Sequence, residues 1–200
     1  GIQYPAETLR QFCRTFPGVV VLDEAYVDFA ERNDLRLALE LPNVLVARSL
    51  SKSFSLAGLR LGYVVGASDL IAGFYQVKDS YNVGRPAQQA ALAALQAAGR
   101  MRTNVRRIRA TREWTAAELV RRGFHVTPSQ ANFLWIRPPR GSARALFMEL
   151  RQRGILVRHF PGPRTQAHLR VSIGREEDMR ALLRAADRWL AKISGPARRA

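Results

Sequence analysis

Cysteine occurs once in these 200 residues, as Cys13, so the chain can build no internal disulfide and a reducing cytoplasm is its expected compartment. Lysine is almost as scarce. Lys52, Lys78 and Lys192 are the only lysines among 32 basic residues, and every other one is arginine. No apolar run approaches the ~20 residues of a spanning helix, which argues against membrane insertion. The three histidines, His125, His159 and His168, lie too far apart for ligand spacings such as His-Glu-x-x-His, so they read as structural or surface residues and no metal is expected. What is abundant is apolar residue content. At 47% it suffices for a buried core in one or two domains.

Acids are also few, 16 against 32 bases, which leaves a formal net charge of +16 and raises the question of nucleic-acid binding. The distribution argues against it. The densely basic stretch Arg100 to Arg122 carries Trp114, Ala116, Ala117, Leu119 and Val120, and so reads as an amphipathic helix with a solvated basic face. No helix-turn-helix, zinc pattern or aromatic RNA-binding signature accompanies it. Arginine-biased composition accounts for the charge, and no nucleic-acid partner is expected.

Against this arginine bias, the segment NVLVARSLSKSFSLAGLRLGYVVG sets Lys52 among hydroxyls and eight residues before Arg60. A lysine amine condenses with an aldehyde, which a permanently protonated guanidinium cannot do. That is the chemistry of a pyridoxal 5'-phosphate (PLP) site. On spacing alone, a surface lysine after a buried strand explains the segment equally well.

The upstream run Val19 to Leu22 is of strand type and ends in Asp23-Glu24-Ala25-Tyr26. PLP withdraws electrons only while its ring nitrogen is protonated, and an acid at a strand end, Asp23, can hold that proton. Tyr26 can donate its phenolic hydrogen to the ring oxygen. Ser49, Ser51 and Arg60 offer hydroxyls and a guanidinium fork to a phosphate. Gly58 and Gly62 allow close backbone approach around Arg60.

With these residues in place, the chain resembles the fold-type I PLP aminotransferases and, within them, the histidinol-phosphate aminotransferases. The resemblance rests on VVVLDEAYVDFA, SLSKSFSLAGLRLGYVVG, PSQANFLWI, GILVRHF and LRVSIGREEDM, from Val19 to Met179. It implies an α/β fold, with part of the large PLP-binding domain followed by the small C-terminal α/β domain. Lys52 would carry the Schiff base and act in catalysis. Asp23 would pair with the pyridine nitrogen, Tyr26 with the ring oxygen, and Ser49, Ser51 and Arg60 with the phosphate. Arg158 and Arg170 would read the anionic group of the substrate. Histidinol phosphate and 2-oxoglutarate are the implied substrates, and a homodimer the implied assembly. Ser53 and Ser55 depart from the pattern, standing where alanine or glycine is expected.

The family places roughly half its length before this lysine, whereas here Lys52 follows Gly1 closely. The chain is therefore expected to be a C-terminal fragment of a longer polypeptide, unable alone to complete a site. Three alternatives stay open: a related PLP enzyme such as an aromatic aminotransferase or a phosphothreonine decarboxylase, an inactive remnant, and a basic nucleic-acid binder.

The expected organisation is a cofactor-bearing part over residues 1–96, a connecting helix over 97–123, a small domain over 124–195 and a tail from Pro196 to Ala200. Strands are predicted at Val19 to Leu22, Val44 to Ala47, Leu61 to Val65, Phe124 to Thr127, Asn132 to Ile136, and near Ile155 and Leu169. Helices are predicted from Pro86 to a stop at Gly99, from about Ala143 to Arg153, and from Glu176 to Lys192.

Overall fold

The computed structural model describes residues 1–194. They divide into two compact units, Ile2–Val105 and a second that runs from Arg106 and includes Gly1. The expected tail at Pro196 to Ala200 lies outside the described residues. Among those described, no helix is long and apolar enough to cross a membrane.

In the first unit, helix α1 (Ala6–Thr15) follows Pro5 and carries Glu7 in its first turn and Arg14 in its last, charges that complement the helix dipole. Leu9 and Cys13, four residues apart, share its inner face. Strand β1 (Val20–Asp23), helix α2 (Leu35–Glu40), strand β2 (Val44–Ser49) and strand β3 (Gly62–Val65) follow. β1 and β2 run parallel, with Asp23 opposite Ala47, while β3 returns antiparallel, with Gly62 opposite Ser49. β2 is central, and its consecutive Val44, Leu45 and Val46 are all buried, the apolar run of a strand covered on both faces. Cys13, Val20, Leu37, Ala38, Val44 and Val46 form the core.

Helices α3 (Ser68–Val77) and α4 (Arg85–Gln96) come next, the latter with Pro86 in its first turn. The predicted stop at Gly99 is displaced. α4 ends at Gln96, and Gly99 lies in the first turn of α5 (Ala98–Arg121). The break falls at Ala97 with φ −90° and ψ 23°, a conformation open to any residue, so no glycine is needed there. The division between the units falls within α5. Its basic face is not wholly solvated, because Arg112 shares a face with Thr115 and Leu119 and is 4% exposed, donating through Nη1 to the carbonyl of Ala131 at 2.9 Å.

The second unit adds strands β4 (His125–Thr127) and β5 (Phe133–Arg137), helix α6 (Ala143–Gln152), strands β6 (Arg158–His159) and β7 (Leu169–Ser172), and helix α7 (Glu176–Ser194). The sheet is antiparallel throughout, in the order β4-β5-β7-β6. Leu134, Ile136, Leu169 and Val171 point to one side and are buried with Leu146 and Leu150 of α6 and Leu182, Leu183 and Trp189 of α7. The strand predicted near Ile155 is absent. Ile155 closes α6 through its N–H to the Leu150 carbonyl, and Ile155 and Val157 pack on the core outside any ladder, so pairing begins only at Arg158.

Candidate active site

Parallel pairing of β1 with β2 sets the carboxyl ends of both strands on one edge of the sheet, where ligands bind in open α/β sheets. Asp23 ends β1 and Tyr26 follows it; Ser49 ends β2 and Ser51 and Lys52 follow it. Antiparallel β3 begins at Gly62 opposite Ser49, which brings Arg60 to the same edge. A Cβ at Gly62 would lie 2.8 Å from the Arg48 carbonyl oxygen, so glycine is what admits this close pairing. Gly58 makes no such approach and faces open space.

Asp23, Lys52 and Arg60 are exposed, and Tyr26, Ser49 and Ser51 are half-buried. Lys52 Nζ stands 5.4 Å from the centroid of the Tyr26 ring. Lys78 donates to the carbonyl of Asp79 and to Asn82, and Lys192 pairs with Glu149. Among the described residues, Lys52 is the lysine whose amine meets neither carboxylate nor carbonyl. Ser49 Oγ accepts from the Ser51 N–H at 3.0 Å, and Asp23 Oδ1 accepts from the Ala25 N–H at 3.0 Å, which aims the carboxylate off the strand end. Arg60 adopts φ 56° and ψ 42°, a left-handed conformation that costs a residue with a Cβ about 1 to 2 kcal/mol. Glycine would relieve that strain, and the guanidinium donates through Nη1 to the Ala57 carbonyl at 3.1 Å.

Two supports of this edge escape a reading by motif. Glu24, the neighbour of Asp23, turns inward as the alternation of extended chain requires. Its Oε2 accepts from Arg48 Nε at 2.9 Å, and its Oε1 accepts the Asp34 N–H at 2.5 Å. That alternation is the signal that separates the two acids. The hydroxyl of Ser53, 6% exposed, donates to the Asp28 carboxylate and so ties the lysine loop to the turn after Tyr26. Serine at 53 therefore has a polar partner that alanine would lack. Replacing Glu24 by glutamine will leave Arg48 half-buried without its counter-charge and is expected to destabilise the first unit by about 2 kcal/mol. A lowered urea midpoint with an unchanged slope measures this, and an unshifted midpoint would show the pair to be idle.

Arg158 and Arg170 belong to the second unit and are register partners on β6 and β7, so their side chains leave the same face of the sheet. Both guanidiniums lie against Phe160, at 5.4 and 5.7 Å from its centroid, and Arg170 also lies 5.5 Å from the centre of Phe133. No carboxylate pairs with either among the described residues. They form a cationic pair on one face of the second unit's sheet.

The profile of the aminotransferases of class I and II matches residues 1–185, and the chain belongs to that family. Within it, the chain is 44% identical over 185 residues to histidinol-phosphate aminotransferase 1 of Nostoc sp. (strain PCC 7120 / SAG 25.82 / UTEX 2576), covering 92% of this chain and 52% of that protein. It is 45% identical over 177 residues to the histidinol-phosphate aminotransferase of Chromohalobacter salexigens, covering 87% and 50%. The solved histidinol-phosphate aminotransferase of Sinorhizobium meliloti in complex with pyridoxal-5'-phosphate superimposes with a TM-score of 0.87 at 26% identity, over 96% of this chain and 55% of that one. The chain thus spans about half the length of the relatives it matches.

Proposed function

We propose that the gene product carrying these residues is a PLP-dependent aminotransferase that transfers the amino group of L-histidinol phosphate to 2-oxoglutarate in histidine biosynthesis, working as a cytoplasmic homodimer. The observation that carries this reading is the Lys52 amine, unpaired at a sheet edge between an acid with a phenol and two serines with an arginine. Donor set and cofactor fit each other: a carboxylate for a ring nitrogen, a phenol for a ring oxygen, hydroxyls and a fork for a phosphate, and a free amine for an aldehyde. PLP, when bound, supplies the electron sink that makes the α-hydrogen of an amino compound acidic.

The chain's own groups supply the rest. The Asp23 carboxylate holds a proton on the ring nitrogen of the cofactor. The Tyr26 hydroxyl donates to the ring oxygen, and Ser49, Ser51 and Arg60 anchor the phosphate. Lys52 Nζ would hold the aldehyde carbon of the cofactor and, when free, would take and return the proton of the substrate α-carbon. Arg158 and Arg170 receive the substrate's anion, their planar forks being suited to phosphate and carboxylate. Relatives named for histidinol phosphate at 44% and 45% identity support the choice of substrate.

Arg170→Leu tests that choice. Loss of a charge-assisted fork should remove roughly 2 to 5 kcal/mol of interaction, read mainly as a higher KM for histidinol phosphate, while an unphosphorylated amine should lose much less. Equal losses for both substrates would assign Arg170 to the fold or the cofactor.

A further inference from the structure

Arg158 and Arg170 stand side by side as register partners, and like charges directly opposite each other on paired strands repel. What the two share is the ring of Phe160, 5.4 Å from the Arg158 guanidinium and 5.7 Å from that of Arg170. An aromatic face carries partial negative charge and attracts a cation within about 6 Å of its centre, so one ring here serves two cations. Arg180 gives the contrast. Its guanidinium also lies over a ring, 4.8 Å from the centre of Trp114, but it pairs with the Glu176 carboxylate as well.

Phe160 is itself held in place. Its carbonyl accepts from the Gly162 N–H and from the Thr165 hydroxyl, both at 2.9 Å, which pins the backbone where the chain leaves β6. The Trp135 ring lies 5.9 Å from it, and Trp135 in turn stacks on His168 at 5.2 Å with an interplanar angle of 12°. Trp135 is the register partner of Arg170, so the aromatic row and the arginines share one face of the sheet. Phe133 also meets Arg170, but Phe160 is the ring common to both arginines. An arginine free in water loses rotamer freedom when it grips an anion, and one already laid on a fixed ring loses less.

We propose that Phe160 is a positioning residue for substrate recognition, holding the Arg158 and Arg170 guanidiniums together so that both forks meet one phosphate group. The inference rests on the reading of those arginines as the receivers of the substrate's anion. It adds that preference for a phosphorylated amine depends on a side chain that cannot itself bind the phosphate.

Steady-state kinetics of the full-length gene product with histidinol phosphate and with histidinol, the same amine without its phosphate, test it. Phe160→Leu is expected to raise KM for histidinol phosphate by about tenfold, the scale of lost cation–π contacts, while kcat and the KM for histidinol stay within about twofold of the wild type. Phe160→Tyr keeps the ring and should restore the KM. Loss of folded enzyme would lower kcat for both substrates alike and leave each KM unchanged, so the readout survives a less stable variant. A wild-type KM for histidinol phosphate in Phe160→Leu, an equal rise for both substrates, or a tyrosine variant as impaired as the leucine one would overturn the inference. Arg170→Leu separates the two levels. Selective loss there beside an unaffected Phe160→Leu removes the role of Phe160 alone, whereas equal losses for both substrates in Arg170→Leu remove the anion site and the role of Phe160 with it.

Discussion

Replacing Lys52 by alanine will abolish the covalent capture of PLP by the gene product. The wild type is expected to be yellow when loaded with PLP, and borohydride should bleach it and leave the cofactor fixed to the peptide that contains residue 52. The expectation follows from the three lysines. Lys78 spends its amine on the Asp79 carbonyl and Asn82, and Lys192 on Glu149, while Lys52 faces only the Tyr26 ring. An amine already donating to fixed acceptors must break those bonds before it can act as a nucleophile. Lys52→Arg separates charge from chemistry, since a guanidinium preserves the cation and cannot condense. It should fail as completely as alanine. Lys52 is exposed and Arg60 faces the same edge, so neither change disturbs a core. Labelling that persists in both variants, or maps to Lys78, would remove the central assignment.

How far the site could be read from the sequence depended on the kind of signal each residue gives. Lys52 stands out because arginine is the default base here. Asp23 stands out because it ends an apolar run, and the strand it ends does pair in parallel with the strand before Lys52. The β5 and β7 strands and α7 were equally legible, because each alternates or repeats with one buried face. The misplacements arise where local pattern and tertiary pairing part. The stretch near Ile155 reads as a strand, yet the Ile155 N–H is committed to the Leu150 carbonyl and closes α6. Gly99 reads as a stop, yet Ala97 breaks the helix in a conformation that needs no glycine. The partners Glu24 with Arg48 and Ser53 with Asp28 lie 24 and 25 residues apart, and only the fold brings them together. The approach of Arg158 to Arg170 is likewise a consequence of register.

Changing Asp23 to asparagine should slow proton transfer by about 10²- to 10³-fold, the scale seen when one preorganised electrostatic group is removed from a catalytic site. The substitution isolates charge from structure. Asp23 Oδ1 accepts the Ala25 N–H, and the amide oxygen of asparagine can accept the same bond, so the turn that leads to Tyr26 keeps its geometry. Glu24, which carries the buried contact to Arg48, is untouched. What asparagine lacks is the negative charge, which in the proposed role would keep a proton on the ring nitrogen of PLP, and without that proton electrons released at a substrate α-carbon are poorly delocalised. Single-turnover stopped-flow measurement with histidinol phosphate and PLP-loaded protein reads this step apart from product release. The expected signature is a large fall in the proton-transfer rate with PLP still attached at Lys52 and an unchanged urea midpoint. A rate near that of the wild type would show that Asp23 does not face the ring nitrogen, whereas loss of PLP attachment would recast it as a residue that shapes the site.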